Sequence, residues 1–151
     1  MKIENTVRGI VVHDGKLLSF RLAPPADTFW CLPGGRVEPN GEDLYQSMER
    51  EMVEETGIKP DIGKLLFVHQ FFGNDDKIRI EFFFEIKNGA DYLNIDLSKT
   101  THGFELTETA FLEPATTDKR LLPAFLKESV PQFIKEGADA WQTKVVITKA
   151  D

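Results

Sequence analysis

Gly34-Gly35-Arg36-Val37-Glu38-Pro39-Asn40-Gly41-Glu42 leads into a segment that ends Arg50-Glu51-Met52-Val53-Glu54-Glu55-Thr56-Gly57-Ile58. Neither proline nor glycine interrupts residues 42–56, so the spacing predicts one helix there, with Gly57 as its C-terminal stop. At roughly 100° per residue, Glu51, Glu54 and Glu55 fall within an arc of about 100° on one side of that helix. Leu44 and Met48 share the azimuth of Glu51 and Glu55, with Tyr45 and Met52 just beside it. The three carboxylates therefore continue a stripe whose earlier turns face a core.

Such a stripe is electrostatically unfavourable by itself. Like charges at i,i+4 repel, more strongly when partly buried, and glutamates near a helix C-terminus oppose the macrodipole. A cation removes the conflict. Oxygen-rich sites suit magnesium or manganese, which keep waters and accept phosphate oxygens, and the glycine-rich turn lets backbone approach a ligand closely. The residues thus point to a divalent-metal site for an anionic, phosphorylated substrate. A solvated acidic helix end is the blander reading. The double glycine, the placement of Glu51 and the adjacent Arg50 argue against it.

Outward from this segment, Thr6–Val12 and Lys16–Leu22 read as a hairpin around His13-Asp14-Gly15, with a short buried strand at Phe29–Leu32. Strands are expected at Lys64–Phe72, Lys77–Ile86, Phe104–Leu112 and Thr143–Thr148. In the second of these, Ile78, Ile80, Phe82, Phe84 and Ile86 share one face, and Arg79, Glu81, Phe83 and Glu85 the other. A second helix is expected from Asp118 to Lys135, interrupted or kinked at Pro131. Mixed strands with two helices imply an α/β sandwich, helix on sheet on helix.

The chain has 151 residues, a length that suits a single domain over 1–151. A net charge of −7 disfavours a nucleic-acid polymer as partner. No apolar run is long enough to span a bilayer, and the N-terminus lacks the apolar core of a secretory signal. One cysteine, Cys31, forms no internal disulfide, which fits a reducing cytoplasm. An acidic protein with an anionic substrate needs cations between the two.

These residues resemble the Nudix hydrolase family, whose signature runs Gly, five residues, Glu, seven residues, Arg-Glu, an aliphatic, any residue, Glu-Glu, any residue, Gly, an aliphatic. From Glu42 to Ile58 the match is complete. Six residues instead of five separate Gly35 from Glu42, so the Arg36–Gly41 loop carries one insertion. The resemblance implies a Nudix-type α/β/α sandwich with a mixed central sheet. It also implies a metal-dependent pyrophosphohydrolase that cleaves a nucleoside diphosphate linked to another moiety by water attack at phosphorus. Carried over by position, Glu54 and Glu55 would be metal ligands, and Glu51 a third ligand or the general base. The Gly35 carbonyl would be a further ligand. Arg50 would orient the glutamates, and Glu42 would support the loop. Magnesium or manganese would be the cofactor. Some members recruit a later glutamate as ligand or base; Glu105 and Glu108 are the candidates, with Glu105 preferred.

Other residues carry weaker signals. Arg21 is a candidate phosphate contact or an exposed edge-strand arginine, and Phe83 a candidate base-stacking residue or a packing one. Trp30 reads as core and Cys31 as a small buried hydrophobe. His13, His69 and His102 show no metal-ligand spacing. The terminal strand Lys144–Ile147 is suited to pairing with a second subunit or to covering its own sheet edge. The rival function is a non-catalytic nucleotide-sensing module on the same fold. An isomerase of isoprenoid diphosphates would need cysteine and histidine partners that the sequence does not place.

Overall fold

The computed structural model describes residues 1–102 and 105–151. The strands are β1 (Lys2–His13), β2 (Lys16–Leu22), β3 (Trp30–Cys31), β4 (Gly34–Arg36), β5 (Ile62–Phe72), β6 (Lys77–Ile86), β7 (Leu106–Leu112) and β8 (Lys144–Lys149). The helices are α1 (Leu44–Thr56) and α2 (Leu126–Glu136). The sheet is mixed: β1 runs parallel to β6 and antiparallel to β2 and β4, and β8 runs parallel to β5.

Strand alternation gives the sheet two apolar faces. Val7, Phe84 and Ile86 pack with Met48 and Met52 of α1, whereas Ile10, Phe67 and Phe83 pack with Leu126, Val130 and Phe133 of α2. Each helix covers one face, which makes the α/β/α sandwich expected from the order of elements. Met48 and Met52 are fully buried, so truncating either removes contacts worth about 2–5 kcal/mol.

The junction that positions the site lies along one edge of β1. Thr6, Val7 and Arg8 pair with Arg36, Gly35 and Gly34, while Val12 and His13 pair with Leu17 and Lys16. Between these two partners the Gly9 amide donates to the Pro33 carbonyl at 2.9 Å. Gly34 has φ +142°, and a Cβ there would lie 1.9 Å from the Val7 carbonyl oxygen. Only glycine permits that approach.

Several expectations are corrected. The glycine-rich turn is itself partly strand, because Gly34 and Gly35 allow β4 to close on β1. Helix α1 begins at Leu44, not Glu42, because Asp43 caps it through a reciprocal pairing with Gln46. Helix α2 begins at Leu126, since Leu121 bridges Trp30 and the Leu122 amide donates to the Trp30 carbonyl. It runs on through Pro131 without interruption. Strand β7 is described from Leu106; the expected start at Phe104 lies outside the described residues. Arg21 is not on an edge strand: it pairs with Trp30 on one side and Glu108 on the other. Strand β8 covers the edge of β5, with Val145 and Ile147 exposed.

Candidate active site

Helix α1 ends on Gly57, at φ +74°, whose amide donates to the Val53 carbonyl. That cap fixes the last turn, and with it the direction of Glu51, Glu54 and Glu55. Glu55 is buried, 7% exposed, and accepts the Gly34 amide at 2.8 Å. Burial pushes its carboxyl up to about 8, against the opposing pull of that amide and of Arg8. Glu51 lies so close to Gly35 that a Cβ there would sit 2.4 Å from its Oε1. Its carboxyl is also raised, by burial first, with Arg50 opposing and Glu54 adding to the rise.

Arg50 ties the group together. Its Nη2 donates to Glu42 at 2.7 Å and to the Arg36 carbonyl at 3.2 Å. Its Nη1 donates to Glu51 at 3.0 Å and to Glu54 at 3.3 Å. Glu42 also accepts from Ser47 Oγ at 2.9 Å. Arg50, foremost among these partners, holds the Glu42 carboxyl down at about 2. The Arg36–Gly41 loop is thus anchored through Glu42 despite its extra residue.

Hard oxygen donors on a fixed helix turn, two of them raised by burial, form a set that fits a small dication. Gly35 leaves room for the Glu51 carboxylate against the backbone. As they stand, no three described histidine, cysteine, aspartate or glutamate side chains are gathered closely enough to hold an ion. The Arg50 guanidinium bonds to both Glu51 and Glu54, so an ion would compete with it.

The remaining candidates separate. Glu105 is exposed, and its charge contributes to the rise at Glu55. Glu108 instead pairs with Arg21 at 3.0 Å, and Arg21 also donates to the Asp27 carbonyl. Arg21 is therefore held by protein partners. Phe83 is fully buried against Phe67 and Phe125. Trp30 and Cys31 are buried, as their apolar neighbours implied. His102 places Nδ1 3.1 Å from Glu54 Oε2, a juxtaposition across the chain that residue spacing did not reveal.

Sequence reasoning also passed over a cavity of about 480 Å³ on the α2 side of the sheet. Phe29, Phe71, Phe83 and Phe125 line it, together with Arg8, His69 and Glu81. Glu81 Oε1 lies 2.8 Å from His69 Nδ1, His69 Nε2 lies 2.7 Å from Thr148 Oγ1, and Arg8 Nε donates to Glu81 Oε2 at 3.4 Å. The one available signal was Arg8 itself, a cation inside a strand of apolar and β-branched residues. Arg8 borders the glutamates as well, since its charge opposes the rise at both Glu51 and Glu55.

A sandwich whose capped helix presents these glutamates to a double-glycine strand defines a class, and the NUDIX domain model matches residues 4–133. The chain belongs to the Nudix hydrolase family. It is similar to the CTP pyrophosphohydrolase of Escherichia coli (strain K12), with 36% identity over 72 residues, 46% of this chain and 53% of that protein. The match therefore spans about half the length of this curated relative. The solution structure of the E. coli ORF135 protein superposes with a TM-score of 0.70 at 24% identity, over 89% of this chain and 92% of that one. An ADP-ribose pyrophosphatase from Streptococcus suis superposes with a TM-score of 0.63 at 13% identity, over 94% and 98%. At these identities the structural likenesses establish the sandwich fold. No described helix is long and apolar enough to cross a membrane.

Proposed function

We propose that residues 1–151 form a single domain that hydrolyses a nucleotide-type diphosphate with magnesium or manganese. The observation that carries this reading is the placement of Glu51 against Gly35 and of Glu55 on the Gly34 amide, with Glu54 sharing the Arg50 guanidinium with Glu51. The family and the likeness to a CTP pyrophosphohydrolase support it. In this reading Glu54, Glu55, Glu51 and the Gly35 carbonyl hold the ion. A dication there would neutralise phosphoryl charge and lower the pKa of an attacking water.

The chain's own residues do the rest. Arg50 keeps the glutamates oriented through its shared contacts with Glu42, Glu51 and Glu54. Phe29, Phe71 and Phe125 offer apolar walls for the ring system of a nucleoside. Glu105, exposed and close enough to act on Glu55, is assigned to accept the proton of the attacking water. Arg21, paired with Glu108 and Asp27, has no part in this assignment.

The experiment follows the phosphate monoesters, such as a nucleoside monophosphate, released with magnesium from a panel of nucleoside triphosphates, nucleotide sugars, ADP-ribose and dinucleoside polyphosphates. We expect turnover of at least one compound, and a loss on the order of 10³-fold in Glu55→Gln. Equal turnover by both proteins, or turnover of none, overturns the reading. Nucleotide binding without turnover would favour the sensing module.

A further inference from the structure

The two half-buried arginines of this region differ in how fully their donors are used. Every nitrogen of Arg50 is hydrogen-bonded, the shortest bond being 2.7 Å. Arg8 makes two long bonds: Nε to Glu81 at 3.4 Å and Nη1 to the Leu32 carbonyl at 3.2 Å. Its Nη2 has no hydrogen bond among the described residues. A guanidinium carries five donors in a rigid fork and stays charged. Arg8 is therefore a fixed cation with donors to spare.

Its position is held from behind by three strands. Glu81 of β6 accepts from Arg8, His69 of β5 meets Glu81, and Thr148 of β8 meets His69. From the front, Arg8 lines the cavity beside Phe29, Phe71 and Phe83. Along the β1 edge it pairs with Gly34, whose amide is bonded to Glu55. It thus stands where the aromatic cavity meets the glutamates.

We propose that Arg8 is a substrate-binding residue that grips the phosphate attached to the nucleoside, with Glu81 and His69 as its positioning residues. The inference rests on the hydrolase reading and deepens it. The ring system occupies the cavity, the first phosphate meets the free edge of Arg8, and the remainder of the diphosphate extends to the glutamates. Forked guanidinium donors match phosphate oxygens. A purely structural Arg8 would only balance the charges of Glu81 and Glu55.

The test is calorimetric titration of the full chain, without metal, using AMP, CMP, GMP and UMP and the four matching nucleosides. We expect at least one monophosphate to bind more tightly than its own nucleoside. Arg8→Gln removes that preference, a change of about tenfold or more. Arg8→Lys retains part of it, because charge survives while the fork does not, and Glu81→Gln weakens it less than Arg8→Gln. If Arg8→Gln does not fold, Arg8→Lys carries the test, with a weakened preference expected. A structural role would lower the unfolding midpoint and leave the preference intact. That result, equal binding of monophosphate and nucleoside by the wild type, or binding of neither, overturns the proposal. Turnover that Arg8→Gln leaves unchanged would overturn the Arg8 assignment alone. Phosphate-selective binding without turnover of any nucleotide would overturn the hydrolase reading alone.

Discussion

Two charged groups sit on either side of the β1–β4 pairing, and they are built in opposite ways. The first, Glu42 with Arg50, Glu51, Glu54 and Glu55, comes from one loop and one helix, and its spacing is fixed by helical periodicity. The second, Arg8 with Glu81, His69 and Thr148, comes from four strands and exists only through sheet register. The first group contains more acids than its single arginine neutralises, and burial raises two of them. The second pairs one carboxylate with one guanidinium, which holds Glu81 below the usual carboxylate range and leaves Arg8 with donors to spare. An acid-rich cluster invites a cation; a guanidinium held by its own carboxylate can offer its remaining donors to an anion.

The largest expected effect strikes the first group through its backbone. Gly34→Ala places a Cβ against the Val7 carbonyl at a φ that side chains avoid, so the β1–β4 pairing must open. The expected destabilisation is about 3 kcal/mol or more, read as a lower denaturant midpoint. An unchanged midpoint would mean that the strand pairing does not depend on this glycine.

A smaller effect is expected at the second group. Burial alone would raise the Glu81 carboxyl, but His69 and Arg8 outweigh it, so its folded value lies below the ordinary 4.5. Its contribution to stability is therefore complete above the unfolded value and is lost as pH falls through the folded one. Glu81→Gln should cost about 2–4 kcal/mol at neutral pH, because it leaves Arg8 without its carboxylate. The cost should shrink in acid, where the wild type loses the same charge. A constant difference between pH 7 and pH 3 would show that Glu81 acts only by packing.

The control lies outside both groups. Val145 is 68% exposed on β8, and Val145→Lys should change stability by no more than about 0.5 kcal/mol. A larger loss would place a covered surface on β8, the face on which a second subunit was an expectation.

The same contrast decides what could be read from the chain. Glu51, Glu54, Glu55 and Arg50 were legible because i, i+3 and i+4 neighbours share a helix face whatever the rest of the molecule does. The order of strands and two helices likewise announced a sandwich, and Gly57 announced where α1 stops. His69 and Glu81 were not legible as a pair, since their meeting depends on the β5–β6 register, which includes shifts at Ile62–Phe67. Arg8 reaches Glu81 across 73 residues. Arg21 shows the opposite case: of its two readings, phosphate contact or edge-strand residue, the second fails because β7 returns beside β2 and gives the strand a neighbour on both sides. Helix α2 starts late because the Leu121 bridge to Trp30 takes residues that helical propensity had claimed.

Crystals soaked in manganese chloride show whether Glu51, Glu54 and Glu55 jointly hold dications. We expect an anomalous peak within coordination distance of these carboxylates, lost in Glu55→Gln. A peak elsewhere, or no peak beside them at millimolar manganese, would contradict it.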